Sequence, residues 1–159
     1  MNRQQLLGKI DRAWFDLADS YAGLSESRML ERGVTSGWSV RDVIAHVTWW
    51  EQEALKHLPA VAEGVRPPRY SDLYGGIDAF NALMTEQRSA LSLTDVLRDS
   101  TETHARLIDY LQNVPEELVA TEAPFRRRLR LDTYAHYSKH ARAIREWRER
   151  NGCSSLGNT

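Results

Sequence analysis

The chain has 159 residues, with 21 Lys and Arg against 22 Asp and Glu, a net charge of −1, and 42% hydrophobic residues. That balance predicts one globular domain with its own core and excludes a disordered chain. A near-neutral protein with a pI of about 6.5 also lacks the overall basic footprint of a nucleic-acid binder, so nucleic acid is not an expected partner.

In chain order, the first helix is predicted from Leu6, Ile10, Trp14, Leu17, Tyr21 and Leu24, which repeat at steps of three and four and so share one face. The segment SESRMLERGVTSG that follows is poorly patterned and reads as a connection. Ser39 with Asp42 three residues later makes a capping-box start for a second helix. Its apolar stripe is Val40, Val43, Ile44, Val47, Trp50, Ala54 and Leu58, and Pro59 falls near its end. GVRPPRYSDLYGG, residues 64–76, is a long loop, and loops of that length are often functional or mobile. A short helix is expected from Ile77 to about Leu91. The third long helix opens at Ser92 and Asp95 and turns Leu93, Leu97, His104, Ile108 and Leu111 inward, with Pro115 after its end.

The fourth long helix is expected to begin near Leu131, after the basic stretch of Arg126, Arg127, Arg128 and Arg130. Tyr134, Tyr137, Ala141, Ile144 and Trp147 form its apolar face. Four amphipathic helices with mostly short links predict an all-α, antiparallel-type four-helix bundle with an additional short helix. The domain should span residues 1–150, followed by a disordered tail at 151–159. The single cysteine, Cys153, falls in that tail and permits no disulfide within one chain. With no leader-like segment and no run of roughly 18 apolar residues, a cytoplasmic protein without membrane contact is expected.

The five histidines carry most of the chemistry. His136 and His140 are four apart, so on a helix both imidazoles project from one face and can share a metal ion. A third ligand has to come from another helix. His46, on the edge of the second helix's stripe, can turn toward a neighbour. His104 is the rival, although a histidine in the middle of an apolar face is more often hydrogen-bonded within a core. His57 is about 16 Å along the helix from His46 and cannot share an ion with it; a surface position is expected.

GWSVRDVIAHVTWWE and DTYAHYSKHARAIREWR, at residues 37–51 and 132–148, resemble the second- and fourth-helix motifs of the DinB/YfiT-like superfamily. YGGIDAFNALM and DTYAHYSKHA resemble, within it, the branch of DfsB and the colibactin self-resistance proteins, the ClbS/DfsB family. The resemblance runs from about residue 3 to 150. It implies a four-helix bundle with an unusual connection order, often a homodimer, and a metal on His46, His136 and His140. His104 has no place in that triad.

What the resemblance implies about chemistry is broader: thiol S-transfer or hydrolysis of a small electrophilic substrate, in detoxification or stress. Three neutral imidazoles suit zinc, nickel or iron and leave positions open for water or substrate. Such an ion would either lower the pKa of water or stabilise the thiolate of a low-molecular-weight thiol cofactor. The alternative on the same bundle is a binding protein that sequesters a small toxic molecule without catalysis. Around the triad, Asp42 is weighed as a carboxylate holding His46, Thr133 and Tyr137 as hydroxyls orienting water, and Trp49 and Trp50 as pocket walls. Packing or capping explains each of these as well. The four arginines read as a solvated basic loop, or as an attractor of an anionic substrate.

Overall fold

The computed structural model describes residues 1–152; Cys153 and the rest of the expected tail lie outside the described residues. The described residues are helical, without a named strand. Four long helices carry the frame: α1 (Arg3–Ser20), α3 (Val40–Ala62), α6 (Leu93–Asn113) and α9 (Tyr134–Arg150). Shorter ones connect them: α2 (Glu26–Met29), α4 (Tyr70–Tyr74), α5 (Ile77–Arg88), α7 (Glu116–Ala120) and α8 (Pro124–Asp132).

The principal packing partners are α1 with α9 and α3 with α6, and α1–α6 and α3–α9 contacts close the ring. The consecutive helices α3 and α6 are thus adjacent, whereas α1 and α3, and likewise α6 and α9, are diagonal, so the connections α1–α3 and α6–α9 cross the bundle. This arrangement brings α3 beside α9, and with them the helices that carry His46 and the His136–His140 pair.

Local chemistry explains the helix starts. Ser39 and Asp42 form a reciprocal capping box: Asp42 N–H donates to Ser39 Oγ at 3.2 Å, and Ser39 N–H donates to Asp42 Oδ2 at 3.0 Å. Asn2 and Gln5 do the same for α1, a pair that the sequence reading did not single out. In α3 the whole expected stripe is buried, but so are Thr48, Trp49 and Glu51, because α5, α6, α8 and α9 all pack on this helix. Helix α6 is rotated relative to expectation. Val96, Thr103 and Leu107 are buried with His104 and Leu111, whereas Leu93, Leu97 and Ile108 are only half-buried at its margin.

Two expectations about loops need correction. Residues 70–74 of the long loop form α4, which ends at Gly75 with φ 85°, and Gly76 at φ 123° starts α5. Two successive residues in the left-handed region are what only this glycine pair adopts without strain. The basic stretch is not a loop either. Pro124 opens α8, Phe125 and Leu129 bury its inner face four residues apart, and the arginines occupy the rest. The fourth long helix is thereby broken at Thr133, whose backbone leaves the helical region (φ −126°, ψ −109°) and whose hydroxyl donates to the Leu129 carbonyl at 2.6 Å.

Candidate metal centre

His46 sits in the second turn of α3, and His136 and His140 occupy successive turns of α9. The three rings meet edge to face, with centroid separations of 4.7, 4.8 and 4.5 Å. Nε2 of His136 lies 2.9 Å from Nε2 of His46 and 2.9 Å from Nε2 of His140. All three candidate ligand atoms lie within 4.8 Å of one another.

The protonation states expose what this geometry needs. A neutral imidazole nitrogen either donates one proton or offers one lone pair. His136 Nε2 can therefore make a full hydrogen bond to one of its two 2.9 Å neighbours but not to both, so one close contact is left unsatisfied. A cation shared by three lone pairs removes that conflict. Each ring would then carry its proton on Nδ1, and all three Nδ1 atoms are buried without a partner. The donor set thus fits a divalent transition metal.

Burial keeps the rings in the ligating form. Desolvation is the main cause that lowers the pKa of His46 to about 2, that of His136 to about 3 and that of His140 to about 4; Lys139 adds to all three, His140 to His136, and both other rings to His46. Trp38 tilts over the His46 ring at 4.6 Å and Trp49 meets it edge-on at 4.9 Å, which excludes water from that side.

Around this cluster the sequence expectations divide. Asp42 does not reach His46: its Oδ2 accepts from Ser39 N–H and its Oδ1 from Arg41 Nη1 at 2.8 Å. Thr133 spends its hydroxyl on the backbone at the helix break. His104 lies outside the cluster, stacked on Trp14 with centroids 3.8 Å apart and with Nδ1 3.0 Å from Glu51 Oε2. His57 is partly buried rather than on an open surface, and its Nε2 lies 3.1 Å from Glu53 Oε2.

Glu51 and Tyr137 are the polar groups that sequence reasoning placed poorly. Both are fully buried, and burial raises each pKa. The Glu51 carboxylate is close enough to push the Tyr137 phenol still higher. Even so, Glu51 Oε1 and the Tyr137 hydroxyl form no bond of normal hydrogen-bond geometry. A polar residue inside an apolar stripe gives no sign in the sequence of whether its partner is protein or solvent.

A cavity of about 360 Å³ opens on His46 and His136 and is lined also by Trp50, Tyr70, Asn81 and Arg128. Tyr70 ties its wall together: the hydroxyl donates to Glu53 Oε2 at 2.9 Å and accepts from Arg128 Nη2 at 2.9 Å. Arg128 Nε also pairs with Asp132, a buried carboxylate whose pKa is raised to about 6 by desolvation, with Arg128 opposing. Of the four arginines, only Arg128 lines this cavity; Arg126 and Arg130 pair with Glu122. A second cavity, about 230 Å³ and lined by Gln52, Arg88 and Asp99 among others, has no histidine in its wall.

Residues 9–143 match the family model of the DinB superfamily. No curated protein matches the sequence. Among solved structures, the fold is similar to DfsB, a sibling lethal factor precursor, with a TM-score of 0.77 and 17% identity over 95% of this chain and 97% of that one. A Streptococcus pneumoniae protein is similar with a TM-score of 0.77 and 16% identity over 94% and 91% of the two chains. The colibactin self-resistance protein ClbS, in complex with double-stranded DNA, is similar with a TM-score of 0.73 and 11% identity over 91% and 94%. That complex overturns the exclusion of nucleic acid drawn from net charge. Overall charge averages over the whole surface, whereas a protein of this fold needs only a local patch to meet phosphates. No helix among the described residues is long and apolar enough to cross a membrane.

Proposed function

The chain belongs to the DinB superfamily, and on that premise we propose that it is a metal-dependent enzyme in which His46, His136 and His140 hold one divalent transition ion. The observation that carries this reading is the convergence of the Nε2 atoms of three neutral imidazoles, His46 and His140 buried and His136 part-buried, with two contacts at 2.9 Å, beside an open cavity. Zinc and nickel suit three imidazoles best, and iron is the next candidate. When bound, such an ion supplies Lewis acidity, which activates either water or a small thiol toward an electrophile. The chain's own residues do the rest. Trp38 and Trp49 keep water from the back of His46, Trp50 and Tyr70 offer aromatic surface to a substrate, and Arg128 holds the cavity wall through Tyr70 and Asp132.

The reaction class is thiol S-transfer or hydrolysis on a small electrophilic molecule, in a detoxifying role. Sequestration without catalysis is the second reading, favoured by the self-resistance role of ClbS and by a cavity large enough to enclose a small ligand. Duplex DNA belongs among the ligands to be tried, on the ground of the same ClbS complex.

Elemental analysis of protein purified without an affinity tag tests the metal: about one transition ion per chain is expected, and His140→Ala should lose it. Full metal retention in that variant refutes the triad. Turnover of electrophiles with and without added thiol then separates transferase from hydrolase, and stoichiometric binding without turnover selects sequestration.

A further inference from the structure

Asn81 is the residue of the cavity whose orientation can be derived outright. Its Oδ1 accepts from Trp49 Nε1 at 3.3 Å and from Trp50 Nε1 at 3.0 Å. An indole N–H only donates, so the oxygen end of the amide must face both rings and the amino end must face away from them. Asn81 lines the cavity, and its amino group is neither bonded nor sealed in the core among the described residues. Two N–H donors are therefore left free on a residue of the cavity wall.

The donor is also fixed relative to the histidines. Trp49 is 1% exposed and packs edge-on against His46 with the same indole that holds Asn81. Trp50 is wedged against Phe80 and Tyr70, both at 5.3 Å. A donor locked in this way binds an acceptor without first losing side-chain entropy.

The charge of the cavity points the same way. Arg128 and Lys139 against Asp132 leave one positive charge in its lining. Arg128 is committed to Asp132 and Tyr70, whereas Lys139, exposed on α9, has no ion-pair partner among the described residues. The remaining surface is apolar or aromatic: Trp50, Tyr70, Ile77 and Leu131, of which Ile77 is 55% and Leu131 58% exposed at the rim.

We infer that this cavity takes a small organic anion, a carboxylate on an aromatic or apolar body, with the Asn81 amide donating to its oxygen and Lys139 supplying the opposite charge. The inference deepens the enzymatic reading by naming its substrate class, yet the anion contacts require no ion. Asn81 is a positioning residue in this scheme.

Benzoate, benzamide and benzylamine serve as probes, followed by tryptophan fluorescence and calorimetry on protein of measured metal content and again after chelation. In the metal-free protein benzoate should saturate, benzamide should bind more weakly and benzylamine should fail. Asn81→Asp keeps the acceptor for both indoles but replaces the N–H donors with an anion, and should weaken benzoate about tenfold or more, equivalent to about 1.4 kcal/mol. Exposed Lys139→Gln, which leaves the core untouched, should weaken benzoate several-fold and leave benzamide unchanged.

Benzoate no tighter than benzylamine, or insensitivity to both substitutions, overturns the inference even if the metal is present. Asn81-dependent benzoate binding in a protein that never carries metal sustains it while the metal reading falls.

Discussion

Acid should destabilise the metal-free protein through the very burial that keeps its three clustered imidazoles neutral. In the unfolded chain each histidine titrates near its ordinary 6.5, whereas in the folded protein His46, His136 and His140 titrate at about 2, 3 and 4. Above pH 6.5 both states are neutral and nothing is gained or lost. Below it the unfolded chain takes up protons that the folded one refuses, so stability falls with pH until each folded pKa is reached. From pH 7.5 to 5.5 each ring costs about 1.4 kcal/mol and the three together about 4 kcal/mol.

Asp132 works in the opposite sense, because its folded pKa is raised to about 6. Its contribution is full below the unfolded value and fades as pH rises through 6, so acidification over the same window returns about 1 kcal/mol. A net loss of about 3 kcal/mol is a large share of a small domain's margin. Urea denaturation of chelated protein at the two pH values measures it. His140→Gln, which cannot protonate, should shrink the loss by about 1.4 kcal/mol while Asp132 contributes as before. A wild-type stability that is flat over this window, or a variant with the wild-type slope, would refute the reasoning.

Zinc at about a hundred times its dissociation constant should add about 3 kcal/mol to the wild type at neutral pH and nothing to His46→Ala, read as a shift in thermal midpoint. Tyr137→Phe should cost no more than about 1 kcal/mol in urea, because its buried hydroxyl lies near the Glu51 carboxyl without a bond of normal geometry; a larger loss would reveal a full bond. Ser39→Ala breaks the capping box of the central helix and should cost about 1 kcal/mol. Leu107→Ala, at a fully buried position of α6, should cost about 2–5 kcal/mol in chemical denaturation.

Much of the fold was legible because helices write themselves in local signals. The stripe from Val40 to Leu58 is buried throughout, and the Ser39–Asp42 box begins its helix at the predicted residue. Legibility failed where one residue served two neighbours. In α6 the inward face centres on Val96, Thr103 and Leu107, since the helix's rotation is set by α3 rather than by its own most apolar edge. The basic stretch looked like a loop because four arginines mask the two apolar anchors of α8, Phe125 and Leu129.

The candidate site divides in the same way. The spacing of four between His136 and His140 follows from helix geometry alone, and so does the impossibility of His57 joining His46 on one ion. What brings His46 to them is the diagonal order of the long helices, a property of the packed whole. Asn81, Lys139 and Tyr70 carry no periodic or spacing signal, and they share a cavity only because α5 packs on α3 and Tyr70 of α4 bonds to Glu53 and Arg128. By itself the sequence determined which residues were helical and which imidazoles could be paired, since both depend on contacts within a few residues. The tertiary structure alone decided which polar atoms were stripped of water, as that depends on surfaces supplied from elsewhere in the chain.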